Sequence, residues 1–279
     1  MQAFDSLSRD IQQYIYDKGW PSLTSIQNAA IKQVANTDHN LILSAPTASG
    51  KTEAAFIPAL NSVEDWETGL KVLYISPLKA LINDQFQRIS ELSEYLDIPI
   101  TRWHGEVSQA QKRKVVNQPK GVLLITPESI EGMLVNRPGE AQHLFKGVEW
   151  IIIDELHSFL GTERGIHLQS LLQRISQFMQ EPRFIAMSAT LNKKDFGYAK
   201  AFFGSQRDTD ILVDRDKNDL LITIDYTSGE AGPFIARESL AAIYQYSKTE
   251  TMLIFPNSRN RVEEITHKLD KMAKKENAP

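Results

Sequence analysis

The sequence has no cysteine among its 279 residues, which removes disulfides and every thiolate metal site from consideration. A metal, if one is used, is held by oxygen. No apolar run approaches the roughly 20 residues of a membrane-spanning helix. The opening Met1-Gln2-Ala3-Phe4-Asp5-Ser6 carries neither the basic nor the apolar region of a signal peptide, so a cytoplasmic protein with no membrane partner is expected. A large excess of either charge is also missing. Basic residues number 31 against 35 acidic ones, which argues against a surface coated in positive charge but leaves room for a local basic groove. Internal repeats and low-complexity segments are absent. What the sequence does have is apolar content, 42% of its residues, enough for one large α/β domain or for one domain and part of another.

The stretch Ala45-Pro46-Thr47-Ala48-Ser49-Gly50-Lys51-Thr52 lies between the strand-like Leu41-Ile42-Leu43 and a good helix opening, Glu53-Ala54-Ala55-Phe56-Ile57. Strand, loop and helix in that order form the layout of a phosphate-binding loop. The backbone N–H groups from Thr47 to Thr52 and the helix N-terminus would face an anion. Lys51 would bring a mobile positive charge to the β- and γ-phosphates of ATP, and the Thr52 hydroxyl would complete a Mg²⁺ shell. The general pattern has glycine at its first position, where this chain has Ala45. A plain strand-to-helix turn is the alternative reading.

Strand-like and helix-like runs alternate along the chain. Ile11, Tyr14 and Ile15 are spaced for a helix, Gly19-Trp20-Pro21 breaks it, and a second helix starts at Ser25. That helix contains Gln27, by itself an ordinary surface glutamine. Lys71 to Ile75 reads as a buried strand running into Ser76-Pro77-Leu78-Lys79-Ala80-Leu81, with a helix through Phe86 and Leu92. A strand over Ile98 to Trp103, a helix over Gln109 to Val116 and a strand over Gly121 to Ile125 follow. Thr126-Pro127-Glu128 then has the residue types that cap and open a helix. Val148 to Ile153 runs into Asp154-Glu155-Leu156-His157. After a polar connection from Gly161 to Gly165, the stripe Ile166, Leu168, Leu171, Leu172 and Ile175 reads as core. Phe184 to Met187 is a strand ending in Ser188-Ala189-Thr190.

This alternation predicts an α/β fold with a mostly parallel sheet covered by helices on both faces. The loops after the strands would then share one edge. The charged stretch 205–219 around Ile211-Leu212-Val213 marks a boundary between a first domain, 1–213, and the beginning of a second, 214–279, too short to be another of the same kind. There the reading gives a strand at Leu220 to Ile224, a helix around Ile235 to Tyr246, a buried strand at Met252 to Phe255 and a helix from Ser258 to about Met272. The lysines at 271, 274 and 275 read as a solvated tail.

A loop that holds ATP needs an acidic strand end to hold Mg²⁺ and position water. Asp154 suits the Mg²⁺ shell, and Glu155 suits orienting and deprotonating the attacking water. Helix N-terminal charges would give the same acidic pair. With these residues in order, nearly the whole chain resembles the N-terminal motor region of superfamily 2 DExH-type helicases. Asp154-Glu155-Leu156-His157 resembles their DExH motif, and Ser188-Ala189-Thr190 their Ser-Ala-Thr motif. Ala45 to Thr52 resembles a loop variant in which Ala45 is regular, and Trp20 to Gln27 the adenine-reading Q motif.

The resemblance implies a RecA-like P-loop domain followed by the start of a second, with Leu253 to Arg259 similar to that second lobe's first strand-to-helix turn. It implies that Gln27 reads adenine and that His157, Ser188 and Thr190 couple the nucleotide to the strand. Pro77, Leu78 and Lys79, His104 and Gly105, and Thr126, Pro127 and Glu128 correspond to segments that grip a single-stranded nucleic acid. The stretch from Gly161 to Leu168 and the Ser76 to Leu81 segment are most similar to the large helicase-related (Lhr-like) proteins, which favours DNA over RNA and 3′-to-5′ movement by an ATP-dependent translocase or helicase. An ATP-gated clamp without processive unwinding is the alternative. A P-loop kinase, which needs an acceptor pocket and lid, fits less well. No Gln-x-x-Gly-Arg-x-x-Arg segment supplies arginine fingers, so slow turnover is expected of these residues alone, and further C-terminal domains of a longer parent chain are expected.

Overall fold

A computed structural model of the chain describes residues 3–47, 49–214, 235–249 and 251–275. Ala48 and the expected strand at 220–224 lie outside them. The chain forms two compact units, 1–217 and 218–279.

The first unit is built on seven strands: β1 (Asn40–Ser44), β2 (Gly69–Ile75), β3 (Ile100–Trp103), β4 (Lys120–Ile125), β5 (Trp150–Ile153), β6 (Arg183–Ser188) and β7 (Thr209–Val213). All pair in parallel, in the order β3-β4-β2-β5-β6-β1-β7. The helices of this unit are α1 (Arg9–Asp17), α2 (Ser25–Asn36), α3 (Lys51–Ser62), α4 (Lys79–Tyr95), α5 (Gln109–Asn117), α6 (Pro127–Asn136), α7 (Pro138–Phe145), α8 (Glu163–Ser176) and α9 (Phe196–Ala201). The second unit contains α10 (Arg237–Ser247) and α11 (Arg259–Lys275).

Successive strand residues point to opposite faces, and the core divides accordingly. Leu41, Leu43, Val72, Tyr74 and Ile152 pack with Ile26, Phe56 and Ile82 of α2, α3 and α4. Ile42, Leu73, Ile75, Ile151 and Ile153 pack with Ile130, Leu144, Leu168 and Leu171 of α6, α7 and α8. Burial on both faces is why these strands read as continuous apolar runs. The register pairs Ser44 with Ser188, Ile75 with Ile153 and with Ile125, and Trp103 with Ile125. Every loop singled out for chemistry therefore leaves from one edge of the sheet, as the alternation predicts.

Several expectations need correction. Ile166 is 63% exposed, whereas Leu168, Leu171, Leu172 and Ile175 are fully buried. A helix stripe is about 100° wide, and Ile166 falls outside it. The connection read as Gly161 to Gly165 is shorter, because Thr162 caps α8 by accepting the Gly165 N–H. A Cβ on Gly165 would lie 1.8 Å from the Phe159 carbonyl oxygen, so that helix opening excludes any side chain there. β3 starts at Ile100 rather than Ile98, after a turn with Asp97 at φ 54°. In the second unit, Met252 to Phe255 is neither a strand nor buried, with Leu253 82% and Phe255 86% exposed. An apolar run becomes a strand only where neighbours complete its hydrogen bonds, and none pairs with it among the described residues. The lysines at 271, 274 and 275 are on α11, not in a tail.

Candidate nucleotide and nucleic-acid site

The loop after β1 leaves the sheet with the Ala45 N–H donating to the Ser188 carbonyl at 3.1 Å. Ala45 is buried and does not have positive φ, so this position does not call for glycine. Gly50, which caps α3 at φ 81°, does: a Cβ there would meet Gln27 Nε2 at 2.5 Å. The Ser49 hydroxyl donates to the Pro46 carbonyl at 2.8 Å. Lys51 Nζ donates to the Ala45 and Pro46 carbonyls at 2.5 and 2.6 Å. Thr52 Oγ1 donates to Gln85 Oε1 of α4 at 3.2 Å, and Arg88 grips Glu53 bidentately one turn further along. Burial lowers the pKa of Lys51, while the carboxylates of Glu155 and Asp154 act on it in the opposite sense.

Asp154 is nearly buried at the end of β5. Its Oδ1 accepts the Glu155 N–H at 2.9 Å, and its Oδ2 accepts the Tyr74 hydroxyl from the next strand. Burial raises its pKa, and the Tyr74 hydrogen bond partly offsets that. Glu155 has φ 49° and ψ 47°, a left-handed conformation that costs a non-glycine residue about 1–3 kcal/mol and tends to persist at functional sites. From there its carboxylate lies 3.3 Å from His157 Nδ1, itself 3.3 Å from Ser188 Oγ. The Ser188 hydroxyl donates to the Thr190 carbonyl at 2.8 Å, so Thr190 joins the chain through its backbone. The tertiary structure brings Glu155, His157, Ser188 and Thr190 into contact in sequence.

Gln27 is 4% exposed, which overturns its reading as a surface glutamine. It closes a capping box: the Thr24 side chain accepts the Gln27 N–H, and Gln27 Oε1 accepts the Thr24 N–H at 2.9 Å. Its Nε2 donates to the Gly50 carbonyl at 3.4 Å. The side chain therefore ties the start of α2 to the phosphate loop. The Thr-x-x-Gln spacing carried that signal in the sequence.

On the other half of the edge, the Leu78 N–H donates to Ser76 Oγ at 3.0 Å, and Pro77, Leu78 and Lys79 lead into α4. Lys79 Nζ lies 3.3 Å from Glu106, and Gly105 sits beside it. His104 is buried with its Nδ1 accepting the Glu106 N–H at 3.4 Å. Its Nε2 has no hydrogen-bond partner, and burial lowers its pKa. Thr126 caps α6 by accepting the Ser129 N–H at 3.3 Å, and Pro127 takes the first helical position. Arg164, which the sequence did not single out, donates to Glu128 at 2.6 and 3.0 Å and to the Pro77 carbonyl, with its guanidinium over the Phe159 ring. It fastens two candidate strand-gripping segments together. Tyr74 and Gln85 were also missed, since a lone Tyr in a strand and a Gln in a helix carry no local signal.

The family profile for DEAD/DEAH box helicases matches residues 24–196. The ATP-dependent helicase Lhr-Core of Saccharolobus solfataricus is 30% identical over 278 residues, covering 92% of this chain and 31% of that protein. Its counterpart in Sulfolobus acidocaldarius is 31% identical over 259 residues, covering 85% of this chain and 29% of its own. The chain thus spans about a third of the length of these relatives. In fold it is similar to Mycobacterium smegmatis helicase Lhr bound to ssDNA and AMP-PNP, with a TM-score of 0.84 at 24% identity, covering 100% of this chain and 37% of that one. No helix among the described residues is long and apolar enough to cross a membrane. The matched segment runs from the Thr24 capping box past Ser188-Ala189-Thr190 and takes in the phosphate loop and the acidic strand end, and on that match this chain belongs to the DEAD/DEAH box helicase family.

Proposed function

We propose that residues 1–213 are the ATP-binding first lobe of a nucleic-acid-dependent ATPase that moves 3′-to-5′ along single-stranded DNA, and that residues 214–279 begin the second lobe. The observation that carries this reading is the exit of the phosphate loop, Asp154-Glu155 and Ser188-Ala189-Thr190 from one edge of the parallel sheet, with the Glu155–His157–Ser188–Thr190 contacts joining the last two. The DNA assignment draws support from the ssDNA in the M. smegmatis structure.

Among the described residues no cluster of three acidic or imidazole side chains could hold a metal alone. The hydroxyl of Thr52 and the carboxylate of Asp154 suit Mg²⁺, which binds through one or two protein oxygens together with substrate phosphates. When bound there, Mg²⁺ would neutralise charge on the β- and γ-phosphate oxygens of ATP. Lys51 swings from the Ala45 and Pro46 carbonyls to the phosphates. Backbone N–H groups from Thr47 to Thr52 hold the phosphates, and Gln27 lies beside the adenine end. Glu155 orients a water on the γ-phosphorus and takes its proton as the P–O bond to the β-phosphate breaks. His157 then feels the change on Glu155 and passes it through Ser188. Pro77 to Lys79, His104-Gly105 and Thr126 to Glu128 hold the strand's phosphates through backbone amides, helix N-termini and Lys79.

The test is nucleotide binding followed by turnover. Lys51→Ala is expected to weaken binding of an ATP analogue roughly tenfold or more, about 1.4 kcal/mol, by removing a point charge. Glu155→Gln is expected to leave binding intact while stopping DNA-stimulated hydrolysis in the longer protein. Loss of binding in Glu155→Gln equal to that in Lys51→Ala would remove Glu155 from its role as base. Tighter retention of single-stranded RNA than of DNA of equal length would overturn the substrate.

A further inference from the structure

Tyr74 lies in β2 at the centre of the sheet, fully buried, with its ring 5.5 Å from that of Phe56. Its neighbours across the strands, Leu124 and Ile152, are purely apolar. Packing alone would be served there by another apolar side chain, because a buried hydroxyl costs free energy unless it has a hydrogen-bond partner. The phenol has one. It donates to Asp154 Oδ2, the oxygen that the Glu155 N–H does not use.

Both carboxylate oxygens of Asp154 are thus acceptors, Oδ1 from the Glu155 N–H at 2.9 Å and Oδ2 from the phenol on the neighbouring strand.

We infer that Tyr74 is a positioning residue that fixes the rotamer of the Asp154 carboxylate. This rests on the proposed ATP site and goes beyond it. The phenol reaches Asp154 from β2, whereas the Glu155–His157–Ser188 contacts lead toward β6. With Oδ2 held by the phenol, the carboxylate would meet Mg²⁺ and nucleotide in one orientation rather than selecting it on binding.

The Mg²⁺ midpoint for binding a fluorescent ADP to the 279-residue chain tests this. Tyr74→Phe removes one oxygen atom and keeps the ring. The midpoint is expected to rise about tenfold, the lower end of what outer-shell partners of metal ligands contribute. ADP affinity without Mg²⁺ should be unchanged. In an Asp154→Asn background the same substitution should leave the midpoint where Asp154→Asn alone sets it. A wild-type midpoint in Tyr74→Phe, or an equal rise in the Asp154→Asn background, overturns the inference and leaves the ATP site standing. Absence of Mg²⁺-dependent ADP binding in the wild type overturns both.

Discussion

Leu41-Ile42-Leu43 in the first unit and Leu253-Ile254-Phe255 in the second are triplets of the same apolar character, each just ahead of a loop that opens a helix. The first is buried to the last atom between β6 and β7. The second is open to water and pairs with nothing among the described residues. The difference lies in what surrounds them. A parallel strand needs ladder partners on both edges and helices on both faces, and each missing neighbour leaves backbone amides and apolar surface to solvent. Apolar content therefore marks a capacity for burial, and neighbours from distant parts of the chain decide whether it is used.

The comparison breaks most sharply with a matched pair of charges. Ile152→Asp places a carboxylate between Tyr74 and Ile185 in the middle of the sheet and is expected to cost about 5 kcal/mol or more, enough to abolish folding of the first unit. Phe255→Asp is expected to change stability by less than about 0.5 kcal/mol. Denaturant titration of both variants checks this, and a comparable loss in Phe255→Asp would show that 252–255 is covered in solution.

A backbone position of the first unit comes next in size. Gly50→Ala forces a Cβ onto Gln27 Nε2 at φ 81° and should destabilise by roughly 1–2 kcal/mol, by strain at positive φ. It should also weaken binding of an ATP analogue. Unchanged melting and unchanged affinity would mean that the loop relaxes freely.

The smallest loss expected within the first unit belongs to charge at its periphery. Glu131 is held by Arg174 and His167, with hydrogen bonds to Arg174 first and His167 second lowering its pKa from 4.5 to about 2. A depressed carboxylate pKa stabilises the fold above the unfolded value, and that contribution is lost as pH falls from about 4.5 through about 2. Glu131→Gln is expected to cost about 1 kcal/mol at pH 7, with the gap to wild type closing across that acid window. A gap independent of pH would assign the loss to packing instead.

Much of the site could be read from local pattern. The phosphate loop, the acidic pair after β5 and Ser188-Ala189-Thr190 each sit where an apolar run stops, and in a parallel sheet those stops fall on one edge. The caps at Thr126 and Thr24 are written in spacing as well, although the burial of Gln27, the partner of Thr24, is not. Tyr74, Arg164 and Gln85 were not legible. Each acts across the fold, on Asp154, on Pro77 with Glu128, and on Thr52. Nothing within a few residues of them announces it.

The sequence by itself determined the order of the first unit's strands and of its helices other than α7 and α9, and the residue types at each strand end, because strand and helix periodicity, capping and the loop's glycine are properties of neighbouring residues. Only the tertiary structure decided which of those residues touch. It set Glu155 in a left-handed turn against His157, put the Tyr74 phenol on Asp154, left Ile166 facing water and left 252–255 without a ladder partner among the described residues. The physical reason is that hydrogen-bond partners and burial come from segments far apart along the chain, and strand pairing, not local pattern, brings those segments together.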